Sequence, residues 1–355
     1  MIQFRLLQLL LSPFSLLYGL AVALRNLFYQ VGILKSVSFN FPVISVGNLS
    51  MGGSGKTPHI EYLIRLLKDY IYIATLSRGY KRKTTGFLIA RPEMNAEQIG
   101  DEPLQFMRKF PDITVTVGEN RAFGIPQILS LRPHVQTILL DDAFQHRAVQ
   151  PGLNIMLTEY RRPFTGDFLL PSGRLREWRS AYRRADLIVV SKCPDAMPPE
   201  ERDRMLNKIR PLPHQRVFFS TYHYGQPYYL LNPAYAGALD QETDVLLLTG
   251  IAHADDLAQH LESRVGSVTH IEYEDHHYFE ETELFQIQNR FKNLESGRKL
   301  ILTTEKDAMR LELHRSRIME LQLPIFVLPV EVRFLFGSGP EFDQAIKEFL
   351  IHFKI

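Results

Sequence analysis

Cysteine is all but missing: Cys193 is the only one in 355 residues. No internal disulfide can form and no cysteine-based metal site or disulfide framework is possible, which suits a reducing cytosol. An excess of either charge is missing as well, since 41 Lys and Arg face 39 Asp and Glu and leave a formal charge of +2. That balance offers no broad basic face, so nucleic acid is not an expected partner. Repeats and low-complexity tracts are also lacking. With 45% hydrophobic and 23% charged residues the composition is globular, and no long stretch is expected to be disordered. The length exceeds one ordinary core and fits two domains.

Between Leu6 and Leu24 there is no charge at all, with Arg5 and Arg25 flanking the run. As a helix it would be roughly 28 Å long, against about 30 Å of bilayer hydrocarbon. A signal peptide is disfavoured because no A-x-A-like cleavage site follows. A true span is interrupted by Gln8 and Pro13, and arginine at both ends gives no orientation. The reading that fits best is a monotopic or re-entrant anchor, with Phe14, Leu16, Leu17, Tyr18 and Leu20 in the interface and Arg25 and Lys35 at the headgroups. A buried core helix is the plain alternative.

After this segment the pattern alternates between strands and helices, which implies a doubly wound, mainly parallel sheet. Strands are expected at Pro42–Val46, Tyr72–Leu76, Ile113–Val117, Val135–Leu140, Asn154–Leu157 and Leu187–Val190, with helices such as Glu61–Leu67 and Arg121–Ser130 between them. From about Arg216 the alternation restarts, with strands at Val245–Leu248, Ser267–Ile271, Lys299–Thr303 and Ile325–Pro329. Helices are expected around Asp255–Leu261, Glu281–Phe291 and Pro340–Phe349. Residues 1–35 thus form a membrane-associated helical segment, 36–213 a P-loop nucleotide-binding domain and 214–355 a second, smaller α/β domain. The boundary falls at Pro211-Leu-Pro213 or in the tyrosine-rich Tyr222–Tyr229, where patterning lapses.

The strongest local signal is Val46-Gly47-Asn48-Leu49-Ser50-Met51-Gly52-Gly53-Ser54-Gly55-Lys56-Thr57, set between a strand and a helix. Glycines let backbone N–H groups close around phosphate oxygens, and the helix N-terminus adds favourable partial charge. Gly52, Gly53, Ser54, Gly55, Lys56, Thr57 and Pro58 are therefore the candidate ATP-binding residues. Lys56 would reach the β- and γ-phosphates and the Thr57 hydroxyl would ligate Mg²⁺. The strict pattern asks for glycine where Ser50 stands. A metal-side partner is supplied by Thr137-Ile-Leu-Leu-Asp141-Asp142, an apolar strand ending in two carboxylates. Either could bind Mg²⁺, with Asp141 favoured as the first past the strand, and a simple turn is the competing reading.

Further polar clusters are Ser77-Arg78-Gly79-Tyr80, Gly100-Asp101-Glu102-Pro103, Phe144-Gln145-His146, Pro171-Ser-Gly-Arg-Leu-Arg176-Glu177, Asp275-His276-His277 and Thr304-Glu305-Lys306-Asp307. Read plainly, Asp101 and Glu102 are a helix cap ahead of Pro103, and the two histidines a satisfied surface pair.

In order along nearly the whole chain, these motifs resemble the tetraacyldisaccharide 4'-kinases of lipid A biosynthesis. The match runs through Val46-Gly47-Asn48, the glycine-rich loop to Pro58, Ser77 to Tyr80, Gly100 to Pro103, Asp141-Asp142 with Phe144-Gln145-His146, Leu175-Arg176-Glu177, Asp275-His276 and Thr304 to Asp307. Departures are Ala143 in place of the usual glycine, Arg174 and Trp178 in place of prolines, and a partial match at Gly250-Ile-Ala-His253-Ala254. The resemblance implies ATP and Mg²⁺ as cofactors and phosphoryl transfer to the 4'-hydroxyl of a tetraacylated glucosamine disaccharide 1-phosphate, giving lipid IVA. It implies Asp101 as catalytic base and His276 as its partner, beside Lys56. Substrate contacts are expected from Asn48, Arg78, Glu102, Arg121, Asp142, Gln145, His146 and Arg176. With the anchor, it implies a peripheral or monotopic protein among membrane lipids on the cytoplasmic face of a Gram-negative inner membrane. The other class of function is a membrane-associated P-loop switch or metallochaperone-like NTPase. Guanine is disfavoured there, because Ser191-Lys192-Cys193-Pro194-Asp195 has proline where an [NT]-K-x-D element needs aspartate. Closure of an interdomain cleft is expected to bring Asp101 and His276 together.

Overall fold

The computed structural model of the protein describes residues 2–252 and 254–353. His253, in the partly matching Gly250–Ala254 segment, lies outside them. Two large sheets organise the chain, beside a two-stranded pairing of Val37–Ser38 with Val149–Gln150. The larger has nine strands in the order Val330–Phe334, Arg216–Tyr224, Leu187–Ser191, Leu153–Glu159, Val43–Asn48, Thr137–Asp141, Ile73–Ser77, Thr114–Val117, Leu88–Ile89. All its pairings are parallel except the two edges, where Val330–Phe334 and Leu88–Ile89 run antiparallel to their neighbours.

Its central strands read as near-continuous apolar runs because both faces are covered. Ile44, Val46, Ile155, Leu157, Leu187 and Val189 pack on one side with Ile60, Leu63 and Ile64 of the helix Lys56–Leu67 and with Phe342 and Ile346 of the helix Gly339–Ile351. The alternate residues Val43, Ile138 and Leu140 meet Ile125 and Ile128 on the other side, where Met156, Ile188 and Val190 also meet Met205 and Ile209.

The second sheet has six strands in the order Asn232–Ala236, Tyr228–Tyr229, Ile325–Leu328, Lys299–Thr304, Asp244–Thr249, Ser267–Glu272. Sequence alternation located most of these strands within a few residues but not Leu88–Ile89, Arg216–Tyr224, Tyr228–Tyr229, Asn232–Ala236 or Val330–Phe334. Of the two boundaries it offered, the passage between the sheets falls within Tyr222–Tyr229. A division at residue 213 would cut the larger sheet, since Arg216–Tyr224 pairs with Leu187–Ser191. The chain crosses over at 225–227 and returns through Pro329, so Ile325–Leu328 lies in one sheet and Val330–Phe334 in the other. The two crossings touch, with Gly225 N–H donating to Pro329 O at 3.0 Å.

The sheets are also joined by a shared apolar core. Ala96, Ile99 and Leu104 of the first unit pack with Leu246, Phe279, Leu284, Ala308 and Met309 of the second.

The N-terminal helix spans Ile2–Gln30 with Pro13 inside it. It is no core helix: Leu9, Leu10, Phe14, Leu16, Leu17, Leu20, Leu24 and Leu27 are all exposed. Its segment Gln8–Gln30 is long and apolar enough to cross a membrane. The opposite face is held by polar contacts spaced at helical periods. Ser15 Oγ donates to Leu169 O at 3.1 Å, Trp178 Nε1 to Gly19 O at 2.8 Å, Tyr18 Oη to Arg176 O at 2.9 Å and Asn26 Nδ2 to Glu177 Oε2 at 2.9 Å.

Candidate active site

The strand Val43–Asn48 delivers the chain into a loop that turns back at Gly52 (φ 105°) and Gly55 (φ 87°), both in the left-handed range that glycine tolerates. A side chain at Gly55 would collide with the Tyr222 hydroxyl. Gly55 also caps the helix Lys56–Leu67 with no side-chain acceptor, so the first N–H groups of that helix stay available to an anion. Lys56 Nζ stands 3.5 Å from Asn48 Oδ1 and 3.8 Å from Asp142 Oδ1.

The two carboxylates after the next strand have opposite surroundings. Asp141 is the last residue of Thr137–Asp141 and is buried. It accepts from Ser77 Oγ at 3.2 Å and has no ion pair among the described residues. Burial, together with Glu102 and Asp142, pushes its carboxyl up to about 7 despite Lys56 and Arg121. Asp142 has a left-handed backbone (φ 46°) and is gripped by both Arg176 nitrogens, Nη1 to Oδ2 at 3.0 Å and Nη2 to Oδ1 at 2.7 Å. Burial opposes its ionisation, but Lys56 and Arg176 outweigh that and hold its carboxyl well below the usual range.

Arg176 Nη2 also donates to Asn48 O at 3.1 Å, the same carbonyl that accepts from Gln145 Nε2 at 2.9 Å. Arg121 is fully buried and donates to Asp141 O at 3.0 Å and to Gly118 O, so its two terminal nitrogens brace the backbone. Burial lowers it to about 10. His146 is held down near 4 by burial and by Arg121, Arg78 and Arg25, which keeps it neutral. Arg78 makes no hydrogen bond or ion pair among the described residues.

On the opposite wall, Asp101 opens the helix Asp101–Lys109, but Gly100 is the cap and no side chain caps it. The plain reading of Asp101 as a helix cap therefore does not hold: its carboxylate turns to the second unit. His276 Nδ1 meets Asp101 Oδ2 at 2.8 Å, and the fully buried Arg310 brings Nε to 3.1 Å of the same oxygen. No cleft closure is needed to join the pair in this structure. The segment carrying Arg78 is pressed against it backbone to backbone, since a Cβ on Gly100 would lie 3.0 Å from Gly79 Cα. Glu102 faces Lys306 at 3.4 Å. Burial works to raise Glu102, yet Lys306 and His276 outweigh it and keep the carboxyl below its ordinary range.

A single cavity of about 800 Å³ joins these groups. It is lined by Gly52 to Pro58, Arg78, Glu102, Arg121, Asp141, Asp142, Gln145, His146, Arg176 and His276, and it reaches Tyr18 of the N-terminal helix. Asn48 and Asp101 lie just behind its walls, in contact with Arg176 and His276 respectively. Sequence reading missed Lys192, Asp195, Tyr222, Tyr224, Asp256 and His260, which line the end beside Gly53. Their one signal was the strand-end Ser191 to Asp195, read only for guanine recognition. Tyr222 and Tyr224 lie on a strand whose place in the first sheet was not legible.

The family model for tetraacyldisaccharide-1-phosphate 4'-kinase matches residues 7–351. The chain is 44% identical over 351 residues to the tetraacyldisaccharide 4'-kinase of Bacteroides thetaiotaomicron, covering 95% of this chain and 91% of that one. It is 43% identical over 345 residues to the enzyme of the same name from Flavobacterium johnsoniae, covering 97% and 98%. Among solved structures it is similar to LpxK from Aquifex aeolicus in complex with ATP, with a TM-score of 0.71, 28% identity, and coverage of 97% and 99%. Nothing in these likenesses favours a nucleotide switch or metallochaperone.

Proposed function

This chain belongs to the tetraacyldisaccharide-1-phosphate 4'-kinases, ATP-dependent kinases of lipid A biosynthesis, and from that membership we propose how its cleft performs the transfer. The acceptor is a tetraacylated glucosamine disaccharide 1-phosphate, whose 4'-hydroxyl receives the γ-phosphoryl to give lipid IVA. The observation that carries this reading is the single cavity with the phosphate loop on one wall, His276 with Asp101 behind it on the other, and the apolar helix at its mouth.

The loop amides from Gly52 to Gly55, with Ser54, Thr57 and Pro58 beside them, hold the triphosphate, and Lys56 neutralises its outer oxygens. Asp101 accepts the proton of the acceptor hydroxyl and His276 orients Asp101. The alcohol O–H bond breaks as the Asp101 O–H forms. The oxygen's electron pair makes the new P–O bond, and the bridging pair leaves with ADP. Arg78, with no hydrogen bond or ion pair among the described residues, and His146 face the acceptor's anionic side. Asp142, Arg176, Asn48 and Gln145 keep the loop in register, and Glu102 positions Lys306. Arg121, in the cavity wall, contributes charge to the site.

Mg²⁺ fits this donor set. Among the described residues no three His, Cys, Asp or Glu cluster to hold a metal alone, which accords with an ion bound by one or two protein oxygens and the phosphates. Asp141 is a buried carboxylate with no ion pair among the described residues and Thr57 lines the same cavity; these two would hold the metal. When bound, it would neutralise charge building on the phosphate oxygens.

The exposed apolar helix face supports a seat on the cytoplasmic side of an inner membrane, in contact with lipid. There it meets its acceptor without extracting four acyl chains, which would cost about 0.8 kcal/mol per exposed CH₂. The test is to incubate the purified protein with γ-labelled ATP, Mg²⁺ and the disaccharide monophosphate in detergent. Label should appear in the lipid; release of phosphate with none in the lipid overturns the reading.

A further inference from the structure

The ammonium of Lys306 touches the imidazole of His276 on the side away from Asp101, with Nζ 2.9 Å from Nε2. A lysine ammonium has three hydrogens to donate and no lone pair to accept. Three acceptors surround this one: Glu102 Oε1 at 3.4 Å, Asp275 Oδ1 at 3.2 Å and His276 Nε2. Burial acts to deprotonate Lys306, but the charges of Glu102, Asp275 and Asp101 outweigh it and raise its proton affinity, so it stays an ammonium. Nε2 must then be the lone-pair nitrogen, and the ring hydrogen sits on Nδ1, where it is donated to Asp101 Oδ2.

We propose that Lys306 is a positioning residue that locks His276 in its Nδ1–H tautomer, the form in which the ring donates to Asp101. This goes beyond the family reading, but rests on it for the identity of the reaction. A histidine acting as base between a carboxylate and a substrate needs a free nitrogen facing the substrate; here that nitrogen is occupied. Both faces of the pair are fixed. Arg310 holds Asp101 Oδ2 from the second unit and is itself tied to Asp307 Oδ1 at 3.0 Å and to His277 O at 2.7 Å. Tyr80 lies over the imidazole with ring centroids 4.7 Å apart, and Lys81 Nζ reaches His276 O at 3.5 Å. Asp101 Oδ1 accepts no hydrogen bond among the described residues, which leaves it free to take one from a hydroxyl that reaches past the wall.

The experiment is ¹⁵N NMR of the full-length protein labelled at histidine, with the His276 signals assigned by their loss in His276→Gln. At neutral pH, Nδ1 should resonate as a protonated nitrogen and Nε2 as an unprotonated one. An Nε2–H tautomer or an imidazolium in the unsubstituted protein overturns the proposal, whether or not Lys306→Met folds. In Lys306→Met the lock is lost, and the signals should shift toward the other tautomer or the imidazolium. The acid limb of the kcat profile should rise by roughly one pH unit, because a like charge beside the ring has been removed. Lys306→Arg should restore both readouts in part. A Lys306→Met protein that folds, with tautomer and pH profile unchanged, also overturns it. The spectrum needs neither ATP nor lipid, so it stands or falls separately from the kinase assay.

Discussion

Arg176 holds Asp142 with two parallel hydrogen bonds and, through the same Nη2, reaches the carbonyl of Asn48 at the end of the strand that feeds the phosphate loop. One guanidinium thus sets both the carboxylate facing Lys56 and the backbone from which the loop departs. Arg176→Ala should leave Lys56 paired more closely with Asp142 and raise KM for ATP about tenfold, the loss of charge-assisted bonds worth roughly 1.5–3 kcal/mol each. Lys at this position should not restore it, because an ammonium cannot make the two-pronged contact. Steady-state kinetics with ATP varied checks both.

Lys56→Ala should abolish turnover. Survival of more than roughly a tenth of the rate would count against the nucleotide assignment, since this lysine is expected to carry much of the charge neutralisation. The rate of label transfer to lipid is the measurement.

Asp101→Ala should lower kcat by roughly 10²-fold or more, the range for a lost general base, while ATP affinity by calorimetry stays nearly unchanged. If ATP binding is what fails, Asp101 is holding the nucleotide and not the proton.

Most strands were legible because apolar side chains run nearly continuously wherever both faces of a sheet are covered, as in Ile138 to Leu140 and Leu187 to Val190. The phosphate loop was legible because its glycines and Lys56 are contiguous. Sheet membership was not, since nothing local tells Arg216–Tyr224 or Val330–Phe334 which sheet to join. The partnership of Asp101 with His276, 175 residues apart, came from family resemblance and from nothing in the residues themselves. Lys306 and Arg310 stood in or beside a noticed motif, yet their roles depend on where the helix Glu305–Leu311 packs. The contrast between Asp141 and Asp142, adjacent and chemically identical, is set by neighbours that no spacing rule supplies.

Glu61 on the helix after the phosphate loop shares Lys109 with Glu305 of the second unit, at 2.6 and 2.5 Å. Burial, then the charge of Glu305, pushes Glu61 up from 4.5 to about 7 despite Lys109 and Arg65. The folded state therefore keeps a proton that the unfolded chain loses first. Stability from this group is full below about 4.5 and is drawn down as pH rises through about 7, by up to about 3 kcal/mol. Denaturant melts between pH 4.5 and 8 should show the decline, and Glu61→Gln should flatten it. An unchanged slope in that variant refutes the assignment.

Leu17 and Leu20 are 65% and 66% exposed on the outward face of the N-terminal helix. Replacing both with Asp should cut binding to lipid vesicles more than tenfold, since each carboxylate costs up to about 3 kcal/mol inside hydrocarbon. KM for the lipid should rise with little change in ATP affinity. Vesicle flotation with both proteins decides it, and equal flotation would place this face away from the bilayer.

Tyr224 and Val330 are paired across the larger sheet, so the chain leaves that sheet and re-enters it at facing positions. Everything between them is a guest lodged in one hairpin of a host. The host carries the phosphate cradle and the guest carries His276, Lys306 and Arg310. Joining Tyr224 to Val330 by a tight turn would close the host around its own sheet and excise the whole guest as a cassette. The cradle would survive in kind, but Asp101 would be left facing solvent, and the bared patch at Ala96, Ile99 and Leu104 would seek another cover.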